Sequence, residues 1–205
     1  MKVILPENSR DITLYQYQKY VELLTRTDLD SYQFEQRKIQ IFTGIKPNEY
    51  KNLIQKDIAE MLEQIDIALN TPANFESTFT IDDVAFGFIP NLDKITGAEY
   101  FDLSKYGQDH ETLHNLMAIL FRPIDKKDKL NNYSIVPYSG TSEWAEVMRL
   151  TPMNIVNGAL FFFLNLSKEL VNYTQKYMVQ ETEQVREQKQ KITSQNGDGM
   201  QVLTS

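Results

Sequence analysis

The sequence predicts a mainly α fold, a helical bundle around a long C-terminal helix, with a small β-hairpin at about 75–89 and extended terminal arms. Three observations lead to this prediction. Residues 153–166 are apolar on nearly all sides, which is typical of a buried helix. Most other segments space their apolar residues three and four apart. Residues 75–81 alternate apolar and polar side chains, and residues 84–89 read as a returning strand.

The C-terminal helix is predicted to run from Thr151 to Ile192. Thr151-Pro152 supplies an N-cap and a proline at the first helical position, and no proline or glycine occurs from Ala159 to Asn196. A helix of roughly 40 residues is on the order of 60 Å long. Its apolar part has about 14 residues, whereas a membrane span needs roughly 20, so we expect a core helix and no membrane partner.

The second half of this helix carries one narrow apolar stripe. Its members recur every seven residues among charged and polar neighbours and are Val171, Met178, Val185 and Ile192. A single domain cannot bury such a stripe, so we expect another chain to cover it. These four side chains are therefore the predicted partner-binding residues.

The first third of the chain predicts four helices with short connections, because capping signals and prolines punctuate its apolar periodicity. The first helix begins at the capping box of Thr13 and Gln16, and the second covers 32–42 and ends at Gly44. The third helix begins at Pro47, and the fourth runs from about Asp57 to Thr71-Pro72.

The middle of the chain predicts a hairpin and then further helices. Residues 75–81 and 84–89 flank Asp82-Asp83, which can form the turn. A lone two-stranded ribbon is marginal, so we expect helices or another subunit to cover it. The later signals are a capping box at Thr96 and Glu99, a helix from Asp109 to Arg122-Pro123, an extended segment at 133–138, and a helix capped by Thr141 or Ser142 around Trp144.

Residues 125–132 form a charged loop. Lys126, Lys127 and Lys129 stand among Asp125 and Asp128. Such a run is typical of a solvated loop. The alternative is a contact site for an acidic partner.

These predictions divide the chain into four parts. They are an extended arm at 1–12, a helical core domain with the β-hairpin at 13–172, a protruding helix at 173–193 and a flexible tail at 194–205.

Composition excludes several classes of function. The 205-residue chain carries 28 acidic and 21 basic residues, for a net charge of −7, which argues against a nucleic-acid binder. It has no cysteine, which excludes disulfides, thiolate zinc sites and cysteine nucleophiles. The apolar run before Pro6 is too short for a signal peptide, so we expect a protein that is made and used without export.

One motif suggests chemistry. His110-Glu111-Thr112-Leu113-His114 fits the pattern H-E-x-x-H and contains both histidines of the chain. On a helix, two such histidines can share a zinc ion while the glutamate acts as general base. A catalytic zinc also needs a third protein ligand, for which Glu143 and Glu146 are the candidates. No third-ligand signature surrounds them, so we favour a packed, hydrogen-bonded His114 and expect no metal or other cofactor.

Four blocks of the sequence resemble a family of small proteins of tailed bacteriophages, including the crAss-like phages of gut Bacteroidales. The blocks are 39–45 (IQIFTGI), 87–96 (GFIPNLDKIT), 113–124 (LHNLMAILFRPI) and 153–166 (MNIVNGALFFFLNL). The resemblance covers roughly residues 10–172 and contains no catalytic motif. It implies a virion or tail-assembly component, and it implies that His110 is incidental.

These observations favour a non-enzymatic structural subunit of a tailed-phage virion, a ring or connector component at the portal vertex or tail. It would be made in the host cytoplasm and would bind other copies of itself and other phage structural proteins, but no specific nucleic-acid sequence. The alternative is a tail-assembly chaperone that is absent from the mature particle. A less favoured alternative is a zinc hydrolase that uses His110, Glu111 and His114.

Overall fold

The fold is mixed α/β, and the prediction of a mainly α bundle around a long C-terminal helix is wrong. The computed structural model describes residues 3–107 and 109–165. Helices surround a four-stranded antiparallel sheet with the strand order β1-β2-β3-β4. The chain separates into two compact units, Met1–Leu160 and Phe161–Ser205. Of the second unit, residues 161–165 are described, and they are helical.

The elements follow one another along the chain with short connections. They are α1 (Leu14–Leu24), α2 (Ser31–Thr43), α3 (Pro47–Tyr50), α4 (Gln55–Leu69), β1 (Thr78–Ile81), β2 (Val84–Phe88), α5 (Gly97–Tyr106), α6 (Leu113–Leu120), β3 (Phe121–Lys127), β4 (Tyr133–Ile135), α7 (Ala145–Met148) and α8 (153–165). Short 3₁₀ turns at Ser9–Asp11, Leu92–Lys94 and His110–Thr112 precede α1, α5 and α6.

The hairpin expected at about 75–89 is present as β1 and β2. Asp82 and Asp83 form its turn with φ values of +44° and +66°, and Ile81 pairs with Val84 across it. A two-residue turn with positive φ at both positions matches the right-handed twist of the strands. The hairpin is covered by its own chain, because β3 pairs with β2 and extends the sheet.

Strands β3 and β4 occupy residues that the sequence predicted as a helix end, a loop and an isolated extended segment. Phe121, Arg122 and Pro123 are all buried, so this strand shows no alternation of apolar and polar residues. Both faces of the sheet are covered at this point, which removes the pattern by which a half-buried strand is recognised.

The C-terminal helix begins at residue 153, close to the predicted start. Its inner face buries Met153, Ile155, Val156 and Ala159. Among the described residues the helix extends over 153–165, and the rest of the predicted helix of about 40 residues lies outside them. The predicted protruding helix at 173–193 and the tail at 194–205 lie outside the described residues.

The N-terminal segment packs on the domain and does not extend from it as a free arm. Ser9 and Ile12 are buried. The Leu14 amide donates to the Thr151 carbonyl at 2.8 Å, and the Met153 amide donates to the Ile12 carbonyl at 2.8 Å. This short antiparallel pairing fixes the start of α1 beside the start of α8.

An aromatic cluster on one face of the sheet forms the centre of the core. Phe121 lies 5.0 Å from Phe79 and 5.2 Å from Phe88, both edge to face. Trp144 closes the cluster against Phe86 at 5.6 Å. Edge-to-face pairs at such distances stabilise a core beyond their buried area. Helix α6 contacts both α5 and α7, and α2 contacts α1 and α4.

Candidate functional site

The H-E-x-x-H motif does not lie on one regular helix. His110, Glu111 and Thr112 form a 3₁₀ turn, and α6 begins at Leu113. Asp109 caps the turn by accepting from the Glu111 amide at 2.9 Å. His110 and Glu111 are exposed, whereas His114 is buried. The motif therefore changes its helical geometry between its two histidines.

The imidazole of His114 is held by a hydrogen-bond network. The Nη2 atom of Arg149 lies 3.1 Å from Nε2 of His114. The Nη1 atom of Arg149 donates to Oε1 of Gln18 at 2.9 Å. The Gln18 amide nitrogen donates to the carbonyls of His110 and Glu111 at 2.9 and 2.8 Å. This network ties α1 and α7 to the start of α6.

Arg149 fixes the role of one ring nitrogen of His114. A guanidinium can only donate, so Nε2 accepts from Arg149. Burial lowers the pKa of His114 below its ordinary value of 6.5, and the nearby Arg149 charge lowers it further. The Glu146 carboxylate and the Glu111 carbonyl act in the opposite direction on this pKa. The imidazole is therefore neutral near pH 7, and its Nε2 lone pair is occupied by the hydrogen bond from Arg149.

This arrangement does not fit a zinc site. A metal ion at Nε2 of His114 would have to displace Arg149 and would face its positive charge. Of the two candidate third ligands, Glu146 pairs with Arg149 at 3.0 Å, and the exposed Glu143 lies 3.5 Å from the Ser139 hydroxyl. Over residues 3–107 and 109–165, no three His, Asp or Glu side chains converge as metal ligands would.

A second polar cluster attaches α5 to the sheet. Arg122 on β3 donates to Glu99 on α5 at 2.8 Å, and their side chains are only 10% and 4% exposed. Glu99 also accepts from the backbone amide and hydroxyl of Thr96 at 2.7 Å each, which completes the capping box. The Arg122 guanidinium lies 5.6 Å from the centre of the Tyr138 ring. The Tyr138 hydroxyl donates to Asp102 at 2.5 Å.

The Tyr138 hydroxyl stays protonated in this cluster. Burial raises its pKa, and the hydrogen bond that it donates to Asp102 raises the pKa further. Its role is therefore to donate a hydrogen bond and to cover a guanidinium, not to exchange protons near neutral pH. Together with Glu99 and Arg122, it fixes the orientation of α5 on the sheet.

The outer face of α5 presents two large aromatic side chains. Tyr100 and Phe101 are 70% and 68% exposed. Ser104 and Lys105 continue this face and are also exposed. Because the inner face of α5 is fixed by a buried ion pair, the two rings are held on a rigid element. Exposed aromatic rings on a rigid element are typical of protein-binding surfaces.

A second exposed apolar site lies on the β3–β4 hairpin. We call residues 125–135 the finger. Leu130, at its tip, is 81% exposed. The Asp128 carboxylate accepts from the amides of Leu130 and Asn132 at 2.8 and 2.9 Å and from the Asn132 side chain at 2.8 Å. Asn131 adopts a left-handed φ of +64°.

These bonds organise the tip of the finger. The hydrogen bond from Asn132 and the two backbone amides lower the pKa of Asp128, so the carboxylate that holds the loop remains charged. At the base of the finger, the Tyr133 ring lies over Gly87, and a Cβ at residue 87 would be 2.5 Å from that ring. The Tyr133 hydroxyl donates to the Phe88 carbonyl at 3.0 Å. The finger is thus ordered without a partner.

The sequence did not identify Gln18, Arg149 or Leu130 as functional residues. Gln18 and Arg149 are far from His114 in the chain, and no local pattern indicates their contact. For Leu130 a local signal exists, since an aspartate two residues before it and an asparagine two after it are typical of a side-chain-stabilised turn. The predicted partner-binding residues Val171, Met178, Val185 and Ile192 lie outside the described residues.

Comparison of the chain with protein families, with curated proteins and with solved structures finds no match. Among the described residues, no helix combines the length and the apolar character needed to cross a membrane.

Proposed function

We propose that the chain is a non-enzymatic structural subunit of a tailed-phage particle, a ring or connector component at the portal vertex or tail. Its partners are other copies of itself and other structural proteins of the particle. The phage assignment rests on the resemblance of four sequence blocks. The geometry supports the more general part of the proposal, which is a protein whose work is binding other proteins.

One observation carries this general part. Large apolar side chains project from elements that the fold holds rigidly, namely Tyr100 and Phe101 on α5 and Leu130 on the finger. By contrast, the buried titratable side chains His114, Glu99 and Arg122 are engaged within the fold. His114 accepts from Arg149, and the buried Glu99 and Arg122 pair with each other. Rigid apolar projections favour binding to a protein surface, because little conformational entropy is lost on contact.

A repeated subunit fits these features. When one patch of a protein binds a different patch on the next copy, the contacts close into a ring or extend into a filament. The acidic balance of the chain, with a net charge of −7, suits a subunit that lies near DNA without binding it.

Mass spectrometry of purified particles from the phage that encodes this chain tests the proposal. We expect the chain in mature particles at a fixed ratio to the other structural proteins. Detection in infected cells together with absence from mature particles would contradict the proposal and support the assembly-chaperone alternative.

Metal analysis of the purified protein tests the zinc-hydrolase alternative. That alternative requires about one zinc ion per chain and its loss in a His114→Gln variant. Our proposal requires that the zinc content be substoichiometric and that it be the same in the variant.

A further inference from the structure

We propose that the finger of one copy docks into an acid-rimmed apolar groove between α2 and α4 of the next copy. This inference rests on the proposed function, because it assumes a subunit that assembles with itself. The proposed contact is head to tail: the finger of each copy meets the groove of the next copy, and the two copies do not exchange fingers reciprocally.

The groove has apolar walls. Leu29 precedes α2, Phe34 lies on α2 and Leu62 lies on α4, and all three are half-buried. They line a space of about 440 Å³ that opens to the surface. A half-buried apolar wall gains from a further apolar side chain, because more apolar surface then leaves water.

The rim of the groove is acidic. Asp30, Glu35 and Asp66 border it, and the only cation in its lining is Lys38. Lys38 is buried and pairs with Asp66 at 2.6 Å. Asp30 caps α2 by accepting from the Gln33 amide at 2.7 Å. Three carboxylates against one ammonium group leave a net negative rim. Asp30 is engaged as a helix cap and Asp66 in an ion pair, so Glu35 is the carboxylate best placed to meet a cation of the finger.

The finger has the complementary charge. Lys126, Lys127 and Lys129 are exposed and flank Leu130. Of its two carboxylates, Asp125 accepts from the Ser134 hydroxyl, and Asp128 is surrounded by donors from the loop. The finger therefore carries three ammonium groups against two carboxylates beside its apolar tip, a net charge of +1. The groove carries three carboxylates against one ammonium group around its apolar walls, a net charge of −2. Such pairing raises the association rate and specifies which surfaces meet.

Two facts favour a second copy as the occupant. The finger does not fill its own groove, because Leu130 is 81% exposed within its own chain. Because every copy carries one finger and one groove, self-association supplies the two surfaces in equal numbers. The finger is ordered before contact through Asp128 and Asn132, so docking requires little reorganisation of the tip.

Sedimentation velocity of the full chain and two variants tests the proposal. Leu130→Asp disables the finger, and Glu35→Lys disables the groove. Ile4→Asp is the matched control, because Ile4 is 79% exposed and belongs to neither surface. We expect the wild type and the control to self-associate, and each interface variant to associate at least about tenfold more weakly.

A mixture of the two interface variants gives the sharpest result. One intact finger from the Glu35→Lys chain then meets one intact groove from the Leu130→Asp chain, so we expect a dimer of one copy of each that grows no further. Circular dichroism of each variant first establishes that it is folded. Lys129→Glu in the Glu35→Lys chain exchanges the two charges and should recover at least part of the lost association.

The possible failures are distinguishable. If the wild type self-associates and Leu130→Asp associates equally well, the finger contact is wrong and the proposed structural role stands. If the wild type stays monomeric at all concentrations, both the finger contact and self-assembly are wrong. If the mixture gives no dimer although both variants are folded, the head-to-tail geometry is wrong.

Discussion

Replacing Arg122 by methionine should strongly destabilise the fold. The guanidinium donates to Glu99 at 2.8 Å, and the two side chains are 10% and 4% exposed. Methionine keeps most of the apolar stem of arginine, so the main loss is the charge. The Glu99 carboxylate would remain buried with only the bonds from Thr96. Leaving one partner of a buried ion pair uncompensated costs about 3–5 kcal/mol.

Urea unfolding measures this cost. Trp144 is the only tryptophan and packs edge to face against Phe86, so its fluorescence reports loss of the core. With an m value of about 2 kcal/mol per M, we expect the midpoint to fall by about 2 M. Lys56→Met is the control, because its pair with Glu60 is exposed and 3.6 Å long. It should cost less than about 0.5 kcal/mol. A loss below about 1 kcal/mol for the Arg122→Met variant, with an unchanged m value, would refute the reasoning.

Two further perturbations test other parts of the structure. The pKa of His114 is lower in the folded chain than its ordinary value of 6.5, so the unfolded chain binds the proton first as the pH falls. The free energy of unfolding should therefore decrease as the pH falls below about 6.5, by at most about 1.4 kcal/mol per pH unit, until the pKa of the folded chain is reached. Urea titrations at several pH values should show a weaker pH dependence of this free energy for the His114→Gln variant. Gly158→Ala should cost about 1–3 kcal/mol, because a Cβ there would lie 2.4 Å from the Asn74 carbonyl oxygen. The control is Gly97→Ala, because a Cβ at residue 97 meets nothing within 4 Å. Thermal unfolding should show a loss of stability for Gly158→Ala alone, and equal losses for the two variants would contradict the close approach of Gly158 to Asn74.

The helix boundaries were predictable because their signals are local. Thr13 with Gln16 and Thr96 with Glu99 form reciprocal capping boxes in the structure as the sequence predicted. Gly44 ends α2 with a left-handed φ of +74°, a conformation that glycine adopts without strain. Each of these signals spans only a few residues, so no knowledge of the fold is needed to recognise it.

The sheet was only half predictable because its second half depends on distant contacts. The alternation at β1 and the turn at Asp82-Asp83 are local, and both indicated a hairpin. Strand β3 instead buries Arg122 beside Glu99, a residue of a different element. In the sequence, an arginine followed by a proline at the end of an apolar helical pattern predicts a helix end. The structure instead places Arg122 in a strand, where it pairs with Glu99 and has neighbours in the sheet.

The candidate site shows the same division. The spacing of His110 and His114 suggested a metal site, since sequence spacing is what a motif records. The structure surrounds His114 with Arg149 and Gln18, 35 and 96 residues away in the chain. Those partners change the imidazole from a candidate ligand into a neutral acceptor. The charged loop at 125–132 was recognised from composition, but its order and its exposed leucine depend on hydrogen bonds that composition does not specify.

The most direct test of the central claim is the mass of the full chain in solution across a wide range of concentration. Light scattering coupled to size-exclusion chromatography measures it without a label or a partner. A self-assembling structural subunit predicts species at multiples of 23.9 kDa, with larger ones favoured as concentration rises and suppressed by Leu130→Asp. A single species of 23.9 kDa at every concentration would contradict the account.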